Sequence, residues 1–96
     1  MVKHIVCFKL KDGSEQKCKE AKDVLMNMKE NVPCLVDIAV YIDQLHSARS
    51  YDVMLEVLVN DWDCLDVYQC DEYHCNMVKN YMKINAASSI TMDFEV

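Results

Sequence analysis

His4, Tyr68 and His74 are the side chains of this chain best suited to proton chemistry. An imidazole titrates near neutral pH and can serve as a general acid or base. A tyrosine beside a histidine can polarise a carbonyl while the histidine moves a proton. Each residue also has a plainer reading. His4 could be a core histidine bonded to a neighbour, Tyr68 an amphipathic anchor with its hydroxyl at the rim, and His74 a surface residue. His46, next to Ser47 and Arg49, reads as a solvated loop residue.

The cysteines offer less. Cys70 and His74 stand four apart, with Asp71 and Cys75 nearby, so a soft-metal cluster is conceivable, although the spacing matches no standard motif. A nucleophilic thiolate needs an electropositive setting, and Cys70 sits beside Asp71 and Glu72. None of the six cysteines forms a C-x-x-C pair, which removes zinc ribbons and thioredoxin-type motifs. Most of the six read as small buried hydrophobes, and the seven methionines as soft core filler. With a single glycine, the chain cannot build a phosphate-cradling loop or a dinucleotide fingerprint.

The elements that position these residues follow from periodicity. Val2 to Lys11 alternates, with Val2, Val6, Phe8 and Leu10 on one face and Lys3, Lys9 and Lys11 on the other; this predicts a strand with one buried face, on which His4 is the polar intruder. Asp12-Gly13 supplies a turn and Ser14 an N-cap. Cys18, Ala21, Leu25, Met28 and Val32 recur at helical spacing, so a helix runs from Ser14 to about Asn31 and stops before Pro33. Leu35–Asp43 and Tyr51–Val59 alternate as two further strands. In the first, Val36, Ile38, Val40 and Ile42 share a face; in the second, Tyr51, Val53, Leu55, Val57 and Val59 point inward and Asp52, Met54, Glu56 and Leu58 outward. Asn60 and Asp61 cap a second helix anchored by Trp62, Leu65 and Tyr68. Tyr68 and His74, six residues apart, can meet only if that helix breaks near Asp71 to Tyr73. A fourth strand covers Ile90, Met92, Phe94 and Val96.

The order β-α-β-β-α-β predicts an α+β, ferredoxin-like domain over residues 1–96, with both helices on one face of the sheet. The other face carries Ile5, Cys7, Ala39, Tyr41, Met54 and Leu58. Such an apolar sheet back is costly in water, which predicts a homodimer through the open sheet face. The formal net charge of −6 repels phosphate backbones, so nucleic acid is not an expected partner. No apolar run is long enough to cross a bilayer, and the N-terminus shows no targeting pattern, which leaves the cytoplasm as the expected location.

In its motifs the chain resembles the stress-responsive A/B barrel family, the dimeric α+β barrel domains. The resemblance runs nearly end to end. It is carried by Val2-Lys3-His4-Ile5-Val6 with Phe8-Lys9-Leu10-Lys11, by Val32-Pro33, by Tyr51-Asp52 before Leu55 and Val57, by Tyr68-Gln69 ahead of His74, and by Met92-Asp93-Phe94-Glu95-Val96. The resemblance implies the dimeric α+β barrel. Some plant members cyclise polyketides in a pocket between sheet and helices; their catalytic histidines and tyrosine match His4, His74 and Tyr68. The family's His-Pro-x-His becomes Asp71-Glu72-Tyr73-His74 here, and two further polar pocket positions fall at Val53 and about Leu25. Some family structures hold a divalent cation on backbone carbonyls; the matching positions are Lys29, Val32 and Leu35. No organic cofactor is expected.

Three functions stay open from the sequence. The first is a dimeric domain with a small apolar ligand between sheet and helices. The second is a small-molecule lyase or cyclase using His4, with Tyr68 and His74 assisting. The third is a structural, stress-associated dimer with a filled interior.

Overall fold

Two side chains start the two main helices. Ser14 Oγ accepts the Lys17 N–H at 3.3 Å, and the Asp61 carboxylate accepts the Cys64 N–H at 2.8 Å. Each satisfies one of the donors that a helix start leaves unpaired. In the computed structural model, which describes all 96 residues, the elements run β1 (Val2–Leu10), α1 (Glu15–Met26), α2 (Met28–Asn31), β2 (Asp37–Ile42), β3 (Val53–Val59), α3 (Trp62–Cys70), a π-helical turn (His74–Lys79), α4 (Asn80–Asn85) and β4 (Ala86–Glu95). The strands form one sheet in the order β2-β3-β1-β4, with every neighbouring pair antiparallel. This is the ferredoxin-like plan that the element order implies.

The core lies between the sheet and the helices. Val2, Val6, Leu55, Val57 and Val59 meet Ala21, Leu25, Met28 and Tyr68 there, all buried. α1 packs over β2 and β3, and α3 over β1 and β3. β4 is the edge strand that the helices leave uncovered; nearly all of its residues are exposed. A cavity therefore opens on that side of the helix layer. No helix is long and apolar enough to cross a membrane.

Several expectations need correction. The first helix is not continuous to Asn31. It tightens at Asn27, whose N–H reaches both Asp23 and Leu25 carbonyls, and Asn31 Nδ2 donates back to the Asn27 carbonyl at 2.8 Å; the short α2 that follows buries Met28 completely. β2 and β3 each begin two residues later than alternation suggests. At β3 the reason is Asp52. It is not turned outward but is 7% exposed, with its carboxylate accepting the Leu10 N–H at 2.8 Å and forming an ion pair with Lys9 Nζ 3.8 Å away. Gly13 passes so close that a Cβ there would lie 3.1 Å from Asp52 Oδ1, which gives the turn's glycine a packing reason. Trp62 is no core anchor: it is 45% exposed, because as the first residue of α3 it lies over the sheet edge, where its Nε1 donates to Glu95 Oε1 at 2.9 Å. Of the six cysteines, all free, only Cys18 is buried and Cys70 is exposed.

The back of the sheet is more apolar than the first three strands suggest. Pairing sets Phe94, Met92 and Ile90 of β4 opposite Lys3, Ile5 and Cys7 of β1. Because side chains alternate, all of these point away from the helices. Met92 is 68% exposed, and Tyr41, Ile90 and Phe94 are also exposed.

Candidate functional site

His4 sits on the helix-facing side of β1. The register pairs it with Val57 of β3 on one side and Asp93 of β4 on the other. Its Nδ1 donates to Asp93 Oδ1. A carboxylate only accepts, so this contact places the imidazole proton on Nδ1 and leaves Nε2 as the acceptor. Nε2 has no protein partner. Since no buried side-chain nitrogen or oxygen lacks one, His4 Nε2 borders open space.

That space is a cavity of about 300 Å³. Its sheet wall is made by His4, Val6, Phe8, Leu55, Thr91 and Asp93. Its helix wall is made by Leu25, Tyr68, Gln69 and His74, with Val78, Lys79 and Met82. The surface is mostly apolar with a few convergent polar groups, as in small-molecule sites.

The break needed after α3 is present. Asp71 leaves the helix with extended geometry, and its carboxylate accepts the His74 N–H at 3.0 Å, which starts the π-helical turn. His74 then folds back under Tyr68. The two rings stack with centroids 4.2 Å apart, and His74 Nδ1 donates to the Tyr68 carbonyl at 3.0 Å. The His4 ring meets the other side of Tyr68 edge-on at 5.7 Å. The three residues singled out in the sequence thus converge, with the phenol ring between two imidazoles.

Their roles are not equal. Tyr68 is wholly buried, and its hydroxyl donates to Met28 Sδ at 3.8 Å. Burial pushes this phenol above its ordinary range, with Cys34 and Asp71 adding to the effect, so it stays protonated. Burial pulls the His74 imidazole below its ordinary value; the Tyr68 carbonyl and Asp71 oppose this, while Lys79 and His4 reinforce it. At neutral pH His74 is an uncharged acceptor through Nε2, which also has no protein partner. Of the three, His4 alone is backed by a carboxylate, the arrangement that steadies an imidazolium as it forms.

Asp93, Thr91, Gln69 and Lys79 were not singled out from the sequence. Asp93 shares its strand parity with Thr91 and Glu95, and nothing short of the β1–β4 register links it to His4. No group of three His, Cys, Asp or Glu side chains gathers closely enough to hold a metal ion. Around Cys70, His74 turns its Nδ1 to Tyr68 and Cys75 Sγ donates to the Gln69 carbonyl at 3.2 Å.

The fold and site together define a ferredoxin-like α+β domain with a histidine–aspartate pair at a cavity under its helix layer. The model of the stress responsive A/B barrel domain matches residues 2–96, and the chain belongs to that family. Solved structures agree on the fold. A dimeric ferredoxin-like protein of unknown function from Thermobifida fusca superposes with a TM-score of 0.84 at 19% identity, over 99% of this chain and 90% of that one. A family protein with a ferredoxin-like fold from Mesorhizobium loti gives 0.78 at 15% identity, over 99% and 95%. HapK from Hahella chejuensis gives 0.79 at 16% identity, over 100% and 92%. No curated protein matches the sequence.

Proposed function

We propose that the chain acts as a homodimer, joined through the open sheet face, whose helix-side cavity takes a small apolar carbonyl compound and moves a proton on it. The observation that carries the chemistry is the His4–Asp93 pair with Nε2 bare at the cavity wall. Nε2 accepts a proton from the carbon next to the carbonyl. The C–H pair then shifts toward the carbonyl oxygen as an enolate, and Asp93 steadies the imidazolium. Return of the proton elsewhere on the substrate is isomerase chemistry; loss of a group or ring closure makes it a lyase or cyclase reaction. Tyr68 and His74 shape the helix wall, and His74 Nε2 offers a second acceptor.

The dimer is supported by the exposed Tyr41, Ile90, Met92 and Phe94 on the sheet back and by the dimeric description of the Thermobifida fusca neighbour. The six unpaired cysteines suit a reducing compartment such as the cytoplasm. A divalent cation on the carbonyls of Lys29, Val32 and Leu35 is a separate proposal. The Val32 carbonyl accepts only a long bond from the Leu35 N–H, 3.4 Å, and keeps a lone pair to offer. A rise in Tm on adding calcium supports it, and an unchanged Tm removes it.

A second reading, binding without turnover, is favoured by the Tyr68 hydroxyl being spent on Met28. Exchange of α-hydrogens of 2-octanone in D2O, followed by proton NMR, separates the two. Catalysed exchange that falls by about 10²–10⁴-fold in His4→Gln supports proton transfer. Binding of the ketone with no exchange above buffer leaves a binding domain.

A further inference from the structure

Lys79 is the only lysine or arginine on the cavity wall. Its Nζ donates to the Gln69 carbonyl at 3.0 Å and forms no ion pair. An ammonium has three N–H donors, so two remain free. A plain structural role would be to cap the C-terminal end of α3, where carbonyls lack partners. That role does not need Lys79, because Cys75 Sγ already donates to the same carbonyl at 3.2 Å.

The backbone is bent to bring this lysine to the site. Residues five apart on an α-helix diverge by about 140°. The π-helical turn over His74–Lys79 bonds each residue to the one five along, so His74 and Lys79 come onto one side and both line the cavity. The acids nearby are already engaged: Asp93 accepts from His4, and Asp71 accepts from the His74 N–H. Other cations of the chain are also free of ion pairs; what sets Lys79 apart is that, although its side chain is exposed, it reaches the rim of the apolar cavity.

We infer that the cavity's ligand is an amphiphilic monoanion, an apolar body with a carboxylate that Lys79 holds on the helix wall. This rests on the pocket reading above and narrows its substrate class. The apolar body lies between Phe8, Leu55, Leu25 and Met82, and the far end reaches the His4 side. Lys79 is exposed, so the carboxylate sits at the cavity mouth, where the contact is charge-assisted but partly screened by solvent.

Calorimetric titration of the full chain with octanoate and with octan-1-ol tests this. The expected result is octanoate binding about tenfold more tightly than the alcohol to the unmodified protein, the scale of one charge-assisted hydrogen bond. In Lys79→Gln that ratio falls to about one, and in Lys79→Arg it persists. Octan-1-ol binding as tightly as octanoate overturns the inference and leaves the pocket standing, as does a preference for octanoate that survives in Lys79→Gln. If neither molecule binds the unmodified protein, the inference and the pocket reading fall together. Loss of ketone exchange in His4→Gln bears on the proton-transfer reading alone.

Discussion

Replacing Tyr68 with phenylalanine and with alanine separates what its hydroxyl does from what its ring does. The hydroxyl makes one contact, a bond of 3.8 Å to the Met28 sulfur. Thioether sulfur is a weak acceptor, so Tyr68→Phe is expected to cost at most about 1 kcal/mol, the low end of a buried hydrogen bond. The ring is wholly buried, stacked on His74 at 4.2 Å and edge-on to His4 at 5.7 Å. Tyr68→Ala is expected to cost about 3–5 kcal/mol for the aromatic truncation, with the lost ring pairs placing it at the upper end. A domain of this size has about 5–15 kcal/mol in total, so a loss of about 5 kcal/mol removes from about a third to all of it. Urea titration at fixed protomer concentration reads both values, because the proposed dimer would make apparent stability depend on concentration. At about 4–8 °C per kcal/mol, the phenylalanine variant loses no more than about 8 °C in Tm. A loss above about 2 kcal/mol for Tyr68→Phe would mean that the hydroxyl holds something stronger than a thioether. A loss below about 2 kcal/mol for Tyr68→Ala would refute the packing of the ring between the imidazoles.

Acid should weaken the fold through His74. Its folded value lies below the ordinary 6.5, chiefly from burial, so as pH falls below 6.5 the unfolded chain takes up the proton first. The stabilisation is complete above that pH and is lost as pH falls toward the lowered folded value; His74→Gln is expected to flatten this part of the Tm–pH curve. On the sheet back, Met92→Lys combined with Ile90→Lys is expected to convert a dimer to a monomer in sedimentation equilibrium, and an unmodified chain that is monomeric at high concentration contradicts the interface. Asp52→Ala removes the carboxylate that accepts the Leu10 N–H at 2.8 Å and is expected to cost about 1.5–3 kcal/mol in urea titration; a change below about 0.5 kcal/mol would show that the buried bond adds little.

The sheet was legible because three of its strands bury one face, and a period of two survives in Val2–Leu10, Val36–Ile42 and Val53–Val59. The caps at Ser14 and Asp61 were legible because their chemistry is local. What lay beyond the sequence is long-range or concerns backbone hydrogen bonding. His4 and Asp93 are 89 positions apart, and their meeting depends on a β1–β4 register that shifts between Lys9 and Leu10. The need for a break after Tyr68 followed from spacing. That the chain would resume as a π-helical turn did not, because no periodic signal in His74–Lys79 separates that turn from an α-helix. Asp52 read as solvent-facing because charge usually is; its burial follows from a backbone N–H on a neighbouring strand.

The proton on the first-strand imidazole can be observed directly. Long-range ¹H–¹⁵N correlation of the His4 side chain, at a pH where the ring is neutral, reports which nitrogen is protonated. The expected result is a proton on Nδ1 and a bare Nε2, with this preference weakened in Asp93→Ala. A neutral ring that carries its proton on Nε2, or one whose tautomer ignores the loss of the Asp93 carboxylate, would contradict it.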